Sequence, residues 1–214
     1  GYSGQRPWWV RQPMSVSTKT ELRSELRKSR QAFVKERFLR TIPIAVTVSH
    51  PLDRALDAAR VVASYLPVGS EADPHDVMTS AHNHGKPLVL PCLTAREAPL
   101  VFRLWSPGDP TETAPGGFQQ PLSSQVILEP DLILLPMLGF DRQGNRIGQG
   151  AGHYDRALAL RPSALRIGIA WSVQEVSAIP ADPWDVPLDA ILTEAEWIVP
   201  ASSRLKRVSG FGST

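Results

Sequence analysis

The feature that most constrains the fold is an unbroken apolar run over residues 132–135, directly after Asp131. A strand with apolar side chains at every position has both faces covered, as strands of parallel sheets between helices do. Shorter apolar runs bounded by Pro or Gly predict further strands, and amphipathic stretches between them predict helices. We therefore expect an α/β fold, a single domain with three αβα layers around a mostly parallel sheet, whose ligands bind beyond the carboxyl ends of the strands.

Capping residues and chain breakers predict where the elements begin and end. Thr18 and Glu21 form a capping-box pattern before a helix over about 19–40. Basic residues at steps of three and four predict one charged side of this helix, made of Lys19, Arg23, Arg27 and Arg30. The other expected helices are one from Pro51 to near 61, one over 74–83 and one over 154–160; the other expected strands cover 61–66, 88–90, 101–105, 166–171 and 189–193; and a long loop is expected over 106–124.

Composition excludes several classes of protein. Cys92 is the only cysteine, so no internal disulfide and no cysteine-based zinc site can form, and a small buried thiol is expected. No apolar run reaches the roughly 18 residues that a membrane helix needs. Residues 1–13 lack the apolar core of a secretory signal. We expect a cytoplasmic protein that does not bind membranes.

The charge is spread unevenly along the chain. Residues 1–40 hold 10 Lys/Arg against 3 Asp/Glu, a net of +7, and the remaining residues hold 13 against 18, a net of −5. A basic segment of this kind fits nucleic acid, a phosphorylated small molecule or a solvated helix face. Trp8 and Trp9 beside Arg6 and Arg11 motivate a nucleic-acid-binding module as the lowest-ranked of the functional hypotheses.

A glycine-rich loop follows the buried strand. Gly148, Gly150 and Gly152 stand at alternate positions before a predicted helix. Glycines permit backbone angles closed to other residues, so successive N–H groups can curl around an anion at the start of a helix. Phosphate is the natural ligand for such a loop, although glycine-rich turns also serve as tight connectors.

The segment over 135–156 closely resembles the signature of the 5-formyltetrahydrofolate cyclo-ligase family, also called 5,10-methenyltetrahydrofolate synthetase. Its core reads Gly148-Gln149-Gly150-Ala151-Gly152-His153-Tyr154-Asp155-Arg156. Other segments match in the family's order and extend the likeness over about 19–199: Lys19-x-x-Leu22-Arg23, Tyr65-Leu66-Pro67 with Glu71-x-Asp73, the run over 85–91, the run over 167–170, Gln174, Pro180, Asp185-x-Pro187-x-Asp189 and Thr193-Glu194.

The resemblance implies a single-domain α/β enzyme that uses ATP and Mg²⁺ to close 5-formyltetrahydrofolate into 5,10-methenyltetrahydrofolate. The implied products besides the folate are ADP and phosphate, formed through phosphorylation of the formyl oxygen and attack by N10. Such chemistry needs two reactants held in line and a neutralised phosphoryl group, so no Ser/His/Asp or Cys/His constellation is expected.

The resemblance also implies roles for individual residues. Lys19, Arg23 and Tyr154 would be catalytic, Asp155 and Asp185 would hold Mg²⁺, and Glu71 would accept N–H bonds from the pterin. ATP would contact Lys19, Arg23, Arg146, Ile147, Gly148, Gln149, Gly150, Ala151, Gly152, His153 and Tyr154. The folate would contact Leu66, Glu71, Gln149, Gly150, Ala151, Gly152 and His153. For each residue alone a plain structural role is the alternative: a solvated helix face, a loop acid or a core tyrosine.

Several residues depart from the family pattern. Many relatives have an aromatic residue at position 149, Lys or Gly at 151, and Tyr at 153, whereas this chain has Gln149, Ala151 and His153. Trp184 stands where His is usual, and Gly116–Gly117 stand where some members carry a Trp against the folate. These changes motivate an alternative hypothesis, a folate- or nucleotide-binding member of the family that has lost turnover.

The predicted organisation has three parts. Residues 1–16 form an N-terminal extension that is expected to be disordered, 17–200 the cyclo-ligase-like domain, and 201–214 a C-terminal tail. We expect a monomer or weak homodimer whose partner is a small reduced folate rather than nucleic acid. No metal is assigned to His50, His75, His82 or His84, which lie outside the motif.

Overall fold

A computed structural model describes residues 18–205. The extension expected over 1–16, with its two tryptophans, and residues 206–214 of the expected tail lie outside this range. Within it, no helix is long and apolar enough to cross a membrane.

The elements alternate along the chain much as the apolar pattern predicts. The helices are α1 (Lys19–Leu39), α2 (His50–Ala58), α3 (His75–Asn83) and α4 (His153–Ala159), with a short 3-10 helix at Ser172–Gln174. The strands are β1 (Val62–Ala63), β2 (Leu88–Cys92), β3 (Val101–Leu104), β4 (Thr111–Thr113), β5 (Gln119–Pro121), β6 (Leu132–Pro136), β7 (Gly139–Phe140), β8 (Arg146–Ile147), β9 (Leu165–Ile169), β10 (Ala190–Leu192) and β11 (Trp197–Ile198).

Seven strands form the central sheet in the order β11-β10-β9-β6-β1-β2-β3. The five inner strands, from β10 to β2, run parallel, and the edge strands β3 and β11 run antiparallel to their neighbours. The mostly parallel sheet that the sequence predicts is therefore confirmed. Antiparallel edges shield the parallel core at both sides.

The two faces of the sheet are covered by different helices. Leu132 and Leu134 of β6 pack in the cluster that contains residues of α2 and α3. Ile133 and Leu135 pack on the opposite face with Leu158 of α4. Alternate residues of one strand point to opposite faces, so both faces of β6 are buried and the predicted αβα layering is confirmed.

The start of α1 follows the predicted capping box. The Thr18 Oγ1 atom accepts from the Glu21 N–H, and the Glu21 carboxylate accepts from the Thr18 N–H. These reciprocal bonds satisfy backbone donors that a helix start leaves without partners. The helix that follows places its first residue, Lys19, at a defined position.

The structure corrects two predictions of local structure and adds one hairpin. The stretch over 106–124 is not one long loop, because β4 and β5 pair as an antiparallel hairpin within it. The strand expected over 61–66 is only Val62–Ala63 long, since the chain leaves the sheet near Tyr65, whose hydroxyl donates to the Ala72 carbonyl. The hairpin β7–β8 was not predicted, because its strands are two residues long and polar residues join them.

Candidate active site

A cavity of about 720 Å³ lies at the carboxyl ends of the central strands. Its lining includes Leu66 after β1, Leu93 after β2, and Met137 after β6. In open α/β sheets this edge is where ligands bind, because loops from several strands converge there. The sequence predicted the same edge.

All the residues that the sequence assigns to the site line this one cavity. The set comprises Lys19, Arg23, Leu66, Glu71, Arg146, Ile147, Gly148, Gln149, Gly150, Ala151, Gly152, His153, Tyr154, Asp155 and Asp185. They come from α1, from the loops after β1, and from two separate parts of the C-terminal half. The fold thus brings together residues that are far apart along the chain.

The glycine loop connects β8 to α4 at the cavity wall. Gly150 has a φ of +110° and Gly152 a φ of +70°. Residues with a side chain rarely adopt backbone angles in this region, so both positions favour glycine. A Cβ atom at Gly150 would lie 3.4 Å from the Arg23 Cζ atom, so the loop already lies in contact with the Arg23 side chain of α1.

Two arginines of α1 hold the glycine loop. The Arg23 Nε atom donates to the Gly148 carbonyl at 2.9 Å. The Arg27 Nη2 and Nε atoms donate to the Gln149 Oε1 atom at 2.8 and 3.2 Å. Because both contacts run from the same helix to successive loop residues, α1 fixes where the loop lies.

Apolar packing sets the distance between α1 and the loop. Leu22 and Leu26 pack with Leu138, Ile147 and Ile179 in a small cluster of their own. At Gly139, a Cβ atom would lie only 2.5 Å from the Leu26 Cδ1 atom. A glycine at this position is therefore what allows the helix to lie so close to the β7–β8 hairpin.

Arg30 departs from the charged helix side that the sequence predicts. Its side chain is buried and donates to the Ser70 hydroxyl at 3.0 Å and to the Met137 carbonyl at 3.3 Å. Burial lowers the pKa of its guanidinium. Helical spacing places Arg30 in line with the other cations, but the sheet-side loops cover it, so it supports the wall rather than lining the cavity.

Lys19 lies between two carboxylates in the cavity wall. Its Nζ atom donates to the Asp182 Oδ2 atom at 2.6 Å and to the Asp185 Oδ2 atom at 2.9 Å. The Asp182 N–H also donates to the Asp185 Oδ2 atom at 2.8 Å. Burial lowers the pKa of Lys19, but the two carboxylates outweigh it, so the net shift is upward and the side chain stays an ammonium.

A second ion pair links the β8 strand to α4. The Arg146 Nη2 atom donates to the Asp155 Oδ1 atom at 2.5 Å, and the Val186 N–H donates to the same oxygen at 3.2 Å. The Arg146 side chain is only 6% exposed, and its buried Nε atom has no hydrogen-bond partner in the described part of the chain. Burial lowers the pKa of Arg146, against the charges of Asp155 and Asp185.

Asp155 and Asp185 each keep one oxygen without a hydrogen bond to residues 18–205, the Oδ2 atom of Asp155 and the Oδ1 atom of Asp185. Carboxylate oxygens are the donors that Mg²⁺ prefers, and Mg²⁺ usually takes only one or two of them besides phosphates and waters. The two acids therefore fit the ion. Within residues 18–205, no group of three or more His, Cys, Asp or Glu side chains suits a metal ion.

Glu71 and Tyr154 carry the polar groups of another part of the wall. The Glu71 Oε2 atom accepts from the Val68 N–H at 2.9 Å. Burial raises the pKa of Glu71, opposed by that hydrogen bond and by the charge of Arg30. Burial also raises the pKa of Tyr154, so its hydroxyl stays protonated near neutral pH and can donate a hydrogen bond.

The cavity includes residues that the sequence did not single out. Asp182, Arg96 and Phe118 all line it, beside Trp184, which stands where the family usually has His. Phe118 follows Gly116–Gly117, where some members carry a Trp, and Trp184 is 69% exposed elsewhere in the lining, so both are aromatic side chains of the cavity. The only local signal for Asp182 is its position three residues before the motif acid Asp185.

Comparisons with known proteins agree on one family. The model of the 5-formyltetrahydrofolate cyclo-ligase family matches residues 15–194. A 5-formyltetrahydrofolate cyclo-ligase of Mycolicibacterium smegmatis is 31% identical over 201 residues, which cover 87% of this chain and 98% of that protein. One from Haemophilus influenzae is 33% identical over 141 residues, covering 63% and 75% of the two chains.

Solved structures share the fold. The 5,10-methenyltetrahydrofolate synthetase of Aquifex aeolicus superposes with a TM-score of 0.65 at 25% identity, covering 87% of this chain and 94% of that chain. The 5,10-methenyltetrahydrofolate synthetase of Mycoplasma pneumoniae superposes with a TM-score of 0.57 at 23% identity, covering 83% and 99%. The second likeness supports the fold alone.

Proposed function

The chain belongs to the 5-formyltetrahydrofolate cyclo-ligase family, a family of ligases, and we propose that it closes 5-formyltetrahydrofolate into 5,10-methenyltetrahydrofolate with ATP. The proposed reaction releases ADP and phosphate. One observation carries the proposal: a single cavity collects every residue that the family motif assigns to the nucleotide and the folate.

The chemical difficulty lies in the formyl oxygen, which is a poor leaving group. In the proposed reaction this oxygen attacks the terminal phosphorus of ATP, and the bond to ADP breaks. N10 then attacks the activated carbon, loses its proton, and phosphate departs with the oxygen. The protein has to align two ligands and neutralise the transferring phosphoryl group.

Three cations are suited to that neutralisation. Lys19, Arg23 and Arg146 line the cavity beside the glycine loop. The Arg23 side chain uses its Nε atom to hold the loop, so its two terminal nitrogens remain for phosphate oxygens. We assign the three side chains to the phosphates of ATP and the loop over 148–152 to the space beside them.

Asp155 and Asp185 are the residues that would hold Mg²⁺. Each offers one carboxylate oxygen that no described residue engages, and each lies beside a cation that already balances part of its charge. Bound Mg²⁺ would neutralise phosphate charge during transfer. Arg146 and Lys19 keep the two carboxylates in place for that role.

Glu71, Leu66 and Tyr154 are assigned to the folate. The Glu71 Oε1 atom has no hydrogen bond to residues 18–205, so it can accept an N–H from the amino-pyrimidine edge of the pterin. Leu66 provides an apolar contact, and the protonated Tyr154 hydroxyl provides a donor. Phe118 and Trp184 are the aromatic candidates for stacking on a planar ring.

The test is a direct assay with 5-formyltetrahydrofolate and MgATP, following the near-ultraviolet absorbance of the methenyl product. Product formation should require ATP and should fall about 100-fold or more in Asp155→Ala, as for removal of one stabilising group at a reacting centre. Asp76→Ala is the matched control, since Asp76 also lies in the first turn of a short helix but outside the cavity. No product from the wild-type protein would contradict the proposal.

The alternative, binding without turnover, has its own structural motivation. The Gln149 Oε1 atom accepts from Arg27, and the His153 Nδ1 atom accepts from the Arg156 Nη2 atom at 3.2 Å, so two residues that depart from the family pattern are engaged within the chain. Burial and the charge of Arg156 lower the pKa of His153, which favours its neutral form. Calorimetric binding of both ligands with no ADP formed would favour this alternative.

A further inference from the structure

Lys19 is bound to carboxylates before any phosphate arrives. The Lys19 Nζ atom lies 2.6 Å from the Asp182 Oδ2 atom and 2.9 Å from the Asp185 Oδ2 atom. One ammonium between two carboxylates leaves a net charge of −1 on the cluster. All three side chains line the cavity to which the nucleotide is assigned.

This arrangement penalises a nucleotide that comes without a metal ion. The phosphates of free ATP carry several negative charges, and they would approach two aspartates as well as the ammonium. Like charges within a few ångströms repel, and the ammonium cannot turn fully to a phosphate without leaving an acid without its partner. Asp185 would keep the Asp182 N–H and the nearby charge of Arg146, but the Asp182 carboxylate has no other hydrogen-bond donor among residues 18–205.

A nucleotide that brings a divalent cation avoids the penalty. Asp182 and Asp185 each use only the Oδ2 atom toward Lys19 and keep the Oδ1 atom without a hydrogen bond to residues 18–205. Both acids can therefore lower their free energy beside a second cation while Lys19 turns toward phosphate. Arg146, which pairs with Asp155, adds a second cation to the same wall.

We propose that Asp182 is a specificity-determining residue that makes nucleotide binding conditional on a divalent cation. Its carboxylate competes with free ATP for Lys19 and ceases to compete when the nucleotide arrives as the metal complex. This inference rests on the proposed function, because it assumes that ATP occupies the cavity. It assigns a role to a residue that the family motif leaves without one.

The test measures nucleotide binding rather than turnover. Titration calorimetry gives the dissociation constants of ATP with excess Mg²⁺ and of ATP with EDTA, in the absence of folate. In Asp182→Asn, free ATP should bind about three- to tenfold more tightly, as for loss of one partly exposed charge pair, while MgATP changes less. The ratio of the two constants therefore falls by a similar factor.

Two further variants separate this role from a structural one. Asp182→Glu keeps the charge and should keep most of the wild-type ratio, and Asp76→Asn removes an exposed aspartate outside the cavity and should leave both constants unchanged. A thermal unfolding curve for each variant confirms that it is folded.

Two results would overturn the inference. An unchanged ratio in Asp182→Asn, including equal weakening of both forms of the nucleotide, would show that Asp182 does not discriminate. If the wild-type protein binds neither form of ATP, the proposed function fails as well, and that outcome is distinguishable because it does not depend on the variant.

Discussion

The Lys19 cluster and the Arg142 cluster each place one permanently charged cation between two carboxylates, and they differ in how many of the acids' oxygens accept hydrogen bonds. Arg142 donates to Glu175 at 2.7 and 3.2 Å and also to both oxygens of Glu196, so all four carboxylate oxygens accept hydrogen bonds. Lys19 reaches only one oxygen of each aspartate. The first cluster is closed, and the second has acceptors left over.

The difference shows that an ion pair is not in itself evidence of a site. The Arg142 cluster ties the β7–β8 turn to the segments around Glu175 and Glu196 and lies outside the cavity. Exposed ion pairs of this kind contribute about 0–1 kcal/mol to folding. Acceptors left open at a cavity wall, by contrast, are available to a ligand, as the proposed function requires.

The largest expected effect is the loss of activity when Lys19 is replaced, compared with the same replacement of Arg142. Lys19→Met should lower kcat/KM for the cyclisation by about 10²–10³, because a preorganised cation at the transferring phosphoryl group is lost. Arg142→Met should leave kcat/KM within about twofold and change the unfolding free energy little, because its ion pairs are exposed and screened by solvent. Steady-state kinetics and urea denaturation of both variants measure these effects. Similar losses of activity in the two variants would contradict the distinction between the clusters.

Glu71, a further half-satisfied acid of the cavity wall, extends the comparison to the folate. Glu71 uses its Oε2 atom toward the Val68 N–H and leaves its Oε1 atom for a ligand. Glu71→Gln should weaken binding of 5-formyltetrahydrofolate by about 10–100-fold, the worth of hydrogen bonds to a charged group, and MgATP binding far less. Calorimetric titration with each ligand measures both effects. Equal weakening of folate and MgATP binding would contradict the assignment of Glu71 to the folate.

Substitutions that disturb the packing of α1, the helix that carries Lys19, should have an intermediate effect on stability and on ATP binding. Gly139→Ala should cost about 1–3 kcal/mol of unfolding free energy, because the new Cβ would overlap Leu26 and push α1 away. Gly85→Ala, whose φ of +69° is strained but whose surroundings are open, should cost a similar roughly 1–2 kcal/mol. Only the first substitution should also raise KM for ATP, since only α1 carries Lys19 and Arg23.

The smallest effect is expected just behind the cavity wall. Pro91 and Leu93 line the cavity, whereas Cys92 between them is 1% exposed and burial raises its pKa to about 11. The folded thiol should be about 100-fold less ionised at pH 8 than an unfolded one, because each pKa unit is a factor of ten.

A thiol reagent at pH 8 should accordingly label Cys92 much faster in urea than in buffer, and saturating ATP or folate should not change the slow rate. The unfolded thiol ionises at a lower pH than the folded one. Ionisation therefore stabilises the unfolded state, and the free energy of unfolding falls as the pH rises above about 9. Rapid labelling of the native protein would show that the wall opens.

How much the sequence predicts depends on whether the cause is local. The apolar run of β6 dictates its burial on both faces, so the parallel sheet and the αβα layers are predicted and confirmed. The β4–β5 hairpin was missed because its residues, such as Gln119 and Thr111, carry no apolar alternation. Its pairing depends instead on contacts such as the Gln120 side chain with the Leu93 backbone.

The site divides in the same way. The glycine loop, Lys19 and Asp155 stand in motifs that can be recognised within a few residues, and the structure places them in one cavity. Their roles toward ATP and folate stay predictions. Asp182 and the burial of Arg30 could not be predicted, because each depends on what a distant segment packs against it.

The large sequence separation between Lys19 and its acidic partners also has a consequence for synthesis, because the cation is made long before the acids. Lys19 and Asp182 are 163 positions apart, and α2, α3, α4 and the strands β1 to β9 lie between them. At about 5–20 residues per second, a ribosome needs roughly 8–30 s to proceed from the lysine to its first acidic partner. Throughout that interval the growing chain carries the cations of α1 without the acids that oppose them. The preference for metal-bound nucleotide is therefore acquired only after Asp182 has been synthesised.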